Sequence, residues 1–153
     1  MESDEMNGHG LDEKAEHKVS VMLVDDDQPF LQSVVASLQK HHYDQLDIVG
    51  TAKSSEECFV QAQMLSPEVI LIDLNMPGRK GLWTIPLLHS IYPDTHVIVL
   101  THNDDADSRQ AVLEAGGTDL VSKAAWKTDL IPAIQRAVNM RDTGSSLAVE
   151  SSS

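Results

Sequence analysis

The sequence has too few cysteines and too few basic residues for several classes of protein. Its single cysteine, Cys58, excludes an internal disulfide and a cysteine-rich metal site. Only 11 Lys and Arg residues stand against 24 Asp and Glu, so the formal net charge is −13 and the chain repels polyanions. We therefore expect no nucleic-acid binding by this chain alone.

Long apolar runs are also missing. No run approaches the roughly 18 residues that a membrane span needs, and the opening residues lack the basic and apolar regions of a signal peptide. These absences favour a cytoplasmic location without membrane association. A length of 153 residues with 41% hydrophobic content is enough for one globular domain with its own core.

Short apolar segments alternate with segments of helical period, between two ends of different composition. Residues 1–17 are acidic and polar and residues 141–153 end in Gly, Ser and small residues, so both are expected to be flexible around one domain at 18–140. Five strand–helix units fit this domain, which predicts an α/β fold with a doubly wound, five-stranded parallel sheet. The predicted strands are 19–24, 47–52, 68–72, 96–100 and 119–122.

Capping residues mark the starts of the predicted helices. Asp27 is expected to cap helix one, and Ser54 or Ser55 can cap helix two. In helix two Cys58 falls on the apolar stripe and is expected in the core. Thr128 is expected to cap the last helix.

Polar residues stand at the carboxyl ends of four predicted strands. They are Asp25 and Asp26 after strand one, Asp73 at the end of strand three, Thr101 at the end of strand four and Lys123 at the end of strand five. In a doubly wound sheet of order 2-1-3-4-5, strands one and three are neighbours at the point where ligands bind beyond the carboxyl ends. We expect the three carboxylates to meet there.

Three neighbouring carboxylates repel one another unless a cation lies between them. Mg2+ prefers oxygen ligands and bridges protein carboxylates to phosphoryl oxygens, so the cluster predicts a Mg2+ site. An Asp carboxylate in this setting can act as a nucleophile toward phosphorus. The Lys123 ammonium and the Thr101 hydroxyl can then contact the other phosphoryl oxygens.

Four segments contain these strand-end residues: LVDDD at 23–27, LIDLNMPGRKG at 71–81, VLT at 99–101 and SK at 122–123. Together they resemble the receiver domain of bacterial two-component response regulators, over about residues 18–140. The resemblance implies a flavodoxin-like (βα)5 fold and phosphorylation of Asp73 by a sensor histidine kinase or a phosphotransfer protein. The implied Mg2+ ligands are Asp25, Asp26, Asp73 and the backbone carbonyl of Asn75.

One further segment resembles a particular group of receivers within the family. YPDTHVIVLT at 92–101 is similar to receivers that precede LuxR-type helix-turn-helix domains, and the chain is either a single-domain regulator or the receiver of a longer protein. Phosphorylation is expected to pull Thr101 and Lys123 inward and to reshape the surface of helix four, strand five and helix five. That surface would then bind a partner or a second copy in a homodimer.

Three positions depart from the family pattern. The bulky His102 follows Thr101 where a small residue is usual, which predicts slow phosphoryl exchange. Leu120 stands where the family commonly has an aromatic rotamer switch. Ala124 stands where a proline after a cis bond is frequent. Because a non-proline cis bond costs about 2.5 to 4 kcal/mol, a trans bond is expected there.

Two other functions remain open beside a signalling switch that catalyses only its own phosphorylation and dephosphorylation. An enzyme of the haloacid dehalogenase type also uses an Asp nucleophile with Mg2+, but it requires a second Asp where Asn75 stands. A degenerate receiver that only binds partners would have lost the Asp, the Thr or the Lys, and all three are present. Trp83 and Trp126 are expected to pack or to face partners rather than to bind a cofactor.

Overall fold

The structure is a computed structural model that describes residues 18–74 and 81–142. Within these ranges the strands are β1 Val19–Val24, β2 Leu46–Ala52, β3 Val69–Asp73, β4 His96–Thr101 and β5 Asp119–Ser122. The helices are α1 Gln28–His41, α2 Ser55–Leu65, α3 Gly81–Ile91, α4 Ala106–Glu114 and α5 Trp126–Asp142. The predicted flexible segment 1–17 and residues 143–153 of the predicted tail lie outside the described residues, whereas residues 141 and 142 continue α5.

The five strands form one parallel sheet in the order β2-β1-β3-β4-β5. This confirms the predicted order 2-1-3-4-5 and the doubly wound α/β fold. The central pair is β1 and β3, in which Val24 aligns with Ile72. The residues that follow these two strands therefore emerge side by side at the same edge of the sheet. None of the described helices is long and apolar enough to cross a lipid bilayer.

Both faces of the sheet are buried, and alternate residues of each strand point to opposite faces. Val21 and Leu23 of β1 belong to an apolar layer with α1 and α5, and Met22 and Val24 to a second layer with α2, α3 and α4. Full burial of such side chains contributes about 1.5 to 3 kcal/mol each. Because helices cover the strands from both sides, the core fixes the positions of the strand ends.

Two helix caps follow the sequence prediction closely. The Asp27 carboxylate accepts a hydrogen bond from the Phe30 N–H at 3.2 Å and caps α1, as expected. Ser54 caps α2, where its hydroxyl accepts from the Glu57 N–H at 3.1 Å. Ser55 is instead buried, and its hydroxyl lies 2.7 Å from that of Thr84 in α3. Of the two serines, the structure selects Ser54 as the cap.

The start of α5 differs from the prediction. Thr128 was expected to cap the helix, but α5 begins at Trp126, so Thr128 lies in its first turn and donates to the Ala125 carbonyl at 3.1 Å. The physical reason is an early turn after β5: the Ala125 N–H donates to the Ser122 carbonyl at 3.0 Å and the Ala124 N–H to the Ser122 hydroxyl at 3.1 Å. The turn brings Trp126 close behind the end of β5.

Candidate functional site

The carboxyl ends of β1 and β3 bring three carboxylates together. One oxygen of each of Asp25, Asp26 and Asp73 lies within 4.8 Å of the others. Asp25 and Asp73 are buried, with 3% and 6% of their surface exposed, whereas Asp26 is exposed. The cluster therefore has two buried carboxylates and one, that of Asp26, in contact with solvent.

Lys123 lies against two of these carboxylates. Its Nζ donates to Asp25 Oδ2 at 2.7 Å and lies 3.4 Å from Asp73 Oδ2. Burial raises the pKa of Asp25, although the hydrogen bonds from Lys123 and from the Asp27 N–H, the latter at 2.9 Å, oppose the change. Burying charges is favourable only when they are paired and hydrogen-bonded. Lys123 supplies that pairing at the base of the cluster.

Thr101 is the last residue of β4 and is 1% exposed. Asp73 aligns with Leu100 in the β3–β4 pair, so Thr101 is one residue further along the strand that neighbours Asp73. Its carbonyl accepts from the Lys123 N–H at 2.7 Å, and its hydroxyl accepts from the Asn103 N–H at 3.1 Å. The backbone bond holds Thr101 and Lys123 at the same edge of the sheet.

The positions that depart from the family pattern are placed as follows. His102 is exposed directly after Thr101. Leu120 is 3% exposed and packs in the layer of α2, α3 and α4, so this position holds an aliphatic core residue. The described residues contain no cis peptide bond, so the bond before Ala124 is trans, as expected. Asn75 lies outside the described residues.

The sequence did not place Phe30 beside the cluster, whereas Trp126, which was expected to pack or to face partners, packs against Phe30. The ring centroid of Phe30 lies 4.5 Å from Lys123 Nζ, and the Phe30 and Trp126 rings meet edge to face with centroids 6.1 Å apart. Spacing alone puts Phe30 on the apolar stripe of α1 and does not place it beside Lys123. The available signal was the cap residue Asp27, three positions before Phe30, because a cap next to the acidic pair places the first turn of α1 over the site.

The donor set of the cluster fits a divalent cation. Hard cations such as Mg2+ take carboxylate oxygens and keep several water molecules, which the exposed side at Asp26 allows. The cluster has three carboxylates, and the Lys123 ammonium contacts two of them, so the cluster can accept further positive charge. The described residues can therefore hold a metal ion.

Comparison with known proteins gives the family. Residues 21–135 match the model of the response regulator receiver domain. The photosynthetic apparatus regulatory protein RegA of Cereibacter sphaeroides is 30% identical over 115 residues, covering 75% of this chain and 60% of RegA. Response regulator GacA of Pseudomonas protegens is 31% identical over 117 residues, covering 76% of this chain and 54% of GacA. The chain thus spans little more than half the length of these relatives.

Solved structures agree with the sequence relatives. The isolated REC domain of RcsB from Salmonella enterica serovar Typhimurium superposes with a TM-score of 0.70 at 27% identity, covering 78% of this chain and 87% of that one. The receiver domain of the putative response regulator NarL from Mycobacterium tuberculosis has a TM-score of 0.73 at 24% identity, covering 80% and 98%, and supports the fold.

The matched segment contains β1 from Val21 onward, the other four strands and the whole acidic cluster. It decides between the open alternatives of a receiver and an enzyme of the haloacid dehalogenase type. Domains of this family work with histidine kinases or phosphotransfer proteins. The chain belongs to the response regulator receiver domain family of bacterial two-component signalling.

Proposed function

We propose that Asp73 is the phosphoacceptor of this receiver and takes its phosphoryl group from the phosphohistidine of a sensor histidine kinase or a phosphotransfer protein. The observation that carries the proposal is the contact of Lys123 Nζ with both Asp25 and Asp73, at 2.7 and 3.4 Å. A buried ammonium beside an aspartate at a strand end is well placed to neutralise an added phosphoryl group.

The transfer is a displacement at phosphorus. The N–P bond of the donor phosphohistidine breaks while a bond forms between phosphorus and a carboxylate oxygen of Asp73, and the histidine nitrogen leaves with the electron pair. Lys123 pairs with one phosphoryl oxygen, and the Thr101 hydroxyl donates to another. Thr101 is 1% exposed. Its side chain therefore has to move within the buried end of β4 to reach the phosphoryl group.

The metal ligands in this proposal are the carboxylates of Asp25, Asp26 and Asp73, with the backbone carbonyl of Asn75. Asn75 lies outside the described residues, so its part rests on family resemblance. When bound, Mg2+ supplies neutralisation of the charge on the transferring phosphoryl group. Asp26 is exposed and offers its carboxylate from the solvent side, while Asp25 is fixed by Lys123.

The output surface in this proposal is formed by α4, β5 and α5, through which the domain controls a partner, a homodimer or an output domain. Asp119 at the start of β5 accepts from Arg109 of α4 at 3.1 Å and from Arg136 of α5 at 2.9 Å. A movement of β5 is therefore passed to both helices. The domain catalyses only its own phosphorylation and dephosphorylation, and it works in the bacterial cytoplasm.

Phosphorylation by acetyl phosphate with Mg2+ tests the acceptor. After this reaction, phosphate-affinity electrophoresis should show a retarded, phosphorylated band for the parent protein. The control Asp44→Asn, a matched change at an exposed carboxylate remote from the cluster, should show the same band. Asp73→Asn should show no retarded band. A band of undiminished intensity in Asp73→Asn would contradict the proposal.

A further inference from the structure

An aromatic pair lies against the phosphorylation site on the sheet face opposite Leu120. Phe30 is in the first turn of α1, and its ring centroid is 4.5 Å from Lys123 Nζ. Trp126 is the first residue of α5 and meets the Phe30 ring edge to face, at an interplanar angle of 80°. Both rings belong to the layer of α1 and α5, whereas Leu120 packs in the layer of α2, α3 and α4.

The ammonium of Lys123 lies between two carboxylates and an aromatic ring. The residue is 7% exposed, so protein groups have replaced nearly all of the water around it. The carboxylates of Asp25 and Asp73 approach it from one side, and the Phe30 ring approaches it with its negative face. A desolvated cation is attracted to such a face far more strongly than an exposed one. Phe30 therefore helps to set where Lys123 rests before phosphorylation.

The backbone ties both rings to the site. The Asp27 N–H donates to Asp25 Oδ1 at 2.9 Å, and the Asp27 carboxylate accepts from the Phe30 N–H at 3.2 Å. On the other side, the short turn after β5 links Lys123 to Trp126. Because the backbone at Phe30 is anchored, we expect the Phe30 ring, and not its backbone, to move when the Lys123 side chain is displaced.

Trp126 also reaches a groove between α1 and α5. The groove has a volume of about 560 Å³ and is lined by Ser33, Ser37, His41, His42, Trp126 and Lys127. Trp126 is 9% exposed, so it forms part of the groove wall while its ring packs on Phe30. Trp126 therefore contacts both the groove and the Phe30 ring, which in turn faces Lys123.

We propose that Phe30 is a positioning residue for Lys123 and that the Phe30–Trp126 pair transmits phosphorylation to the α1–α5 groove. The inference rests on phosphorylation of Asp73. Phosphoryl oxygens draw Lys123 Nζ away from Asp25 and from the Phe30 ring, the ring turns, and Trp126 shifts in the groove wall.

The chain offers a clean fluorescence test, because it has two tryptophans and Trp83 is 67% exposed. Trp83→Phe leaves Trp126 as the single tryptophan, which is excited selectively beside the two tyrosines. In this background the protein is titrated with beryllofluoride in the presence of Mg2+, and binding is followed separately by fluorine NMR. We expect a saturable change in Trp126 emission. Adding Phe30→Leu should abolish the emission change while the bound beryllofluoride signals remain.

The matched control uses the only other phenylalanine of the chain. Phe59 is partly buried on the opposite face of the sheet, so Phe59→Leu should keep the emission change. Phe30→Tyr retains an aromatic face and should restore it. If Phe30→Leu does not fold, as judged by circular dichroism, Phe30→Met takes its place.

The outcomes separate this inference from the proposed function. Bound beryllofluoride with an unchanged Trp126 emission, or a full emission change in the folded Phe30→Leu or Phe30→Met protein, overturns the coupling alone. A parent protein that binds no beryllofluoride overturns the proposed function and the coupling with it. Loss of the emission change in Phe59→Leu would also count against a route through Phe30.

Discussion

Lys123 Nζ lies closer to Asp25 than to Asp73: it is 2.7 Å from Asp25 Oδ2 and 3.4 Å from Asp73 Oδ2. Lys123 therefore contacts both carboxylates but is hydrogen-bonded to Asp25, while the proposed acceptor Asp73 is its more distant partner. On phosphorylation, Lys123 Nζ would exchange its contact with Asp25 for one with the phosphoryl group on the nearby Asp73.

Removal of the lysine should destabilise the fold. Lys123→Met leaves the buried Asp25 without its hydrogen-bonded cation, and breaking such a pair costs about 3 to 5 kcal/mol. Urea unfolding should show this loss. The control Lys127→Met removes an exposed lysine and should change the free energy of unfolding by less than about 0.5 kcal/mol. A Lys123→Met protein as stable as the parent would mean that the ion pair does not form.

Metal binding should depend on the exposed carboxylate. Mg2+ that binds only the folded protein raises its melting temperature by mass action. Asp26→Asn removes one ligand from the exposed side of the cluster, so the increase should shrink strongly, while stability without Mg2+ stays the same or rises because repulsion is relieved. Scanning calorimetry with and without Mg2+ measures both effects. The exposed control Asp44→Asn should respond like the parent, and an equal response of Asp26→Asn would exclude Asp26 as a ligand.

The buried thiol gives a prediction about pH. Cys58 has no exposed surface, and burial raises the pKa of its thiol from 9.0 to about 12. The unfolded chain therefore releases this proton at lower pH than the folded chain, so stability falls as the pH rises from about 9 toward 12, at up to about 1.4 kcal/mol per pH unit. Comparison of urea unfolding for the parent and Cys58→Ala isolates this contribution. At pH 8 a thiol reagent should modify only unfolded protein, and rapid modification of native protein would contradict the burial.

The histidine after Thr101 should affect the lifetime of the phosphorylated state. His102 is exposed directly after Thr101, where the family usually has a small residue, so we expect its bulk to limit access to the acyl phosphate. We expect His102→Ala to phosphorylate and to lose its phosphoryl group several-fold faster than the parent. Band intensities in phosphate-affinity gels over time give both rates. Unchanged rates would show that His102 does not control access.

The sequence predicted the five strands from their apolar periodicity, and the order 2-1-3-4-5 of this type of doubly wound sheet then predicted that the three carboxylates meet. Buried parallel strands read as apolar runs, and a polar residue that ends such a run has to lie at the edge of the sheet. Asp25 and Asp73 could thus be placed side by side without coordinates. Their roles as metal ligand and acceptor stay predictions, as does the backbone carbonyl of Asn75.

Other features depend on how the helices dock and could not be predicted from spacing. The contact of Phe30 with Lys123 requires the angle at which α1 crosses the sheet, which periodicity does not give. The early start of α5 depends on the turn that Ser122 closes after β5, and this turn made the predicted cap at Thr128 wrong. Local propensity does not resolve boundaries of this kind.

The acceptor itself is the claim to test most directly. The protein is phosphorylated with acetyl phosphate and Mg2+, the acyl phosphate is reduced with borohydride, and the reduced residue is located by peptide mass spectrometry. The account predicts that reduction occurs at Asp73 and at no other carboxylate of the cluster. Reduction at Asp25 or Asp26, with Asp73 unmodified, would contradict it.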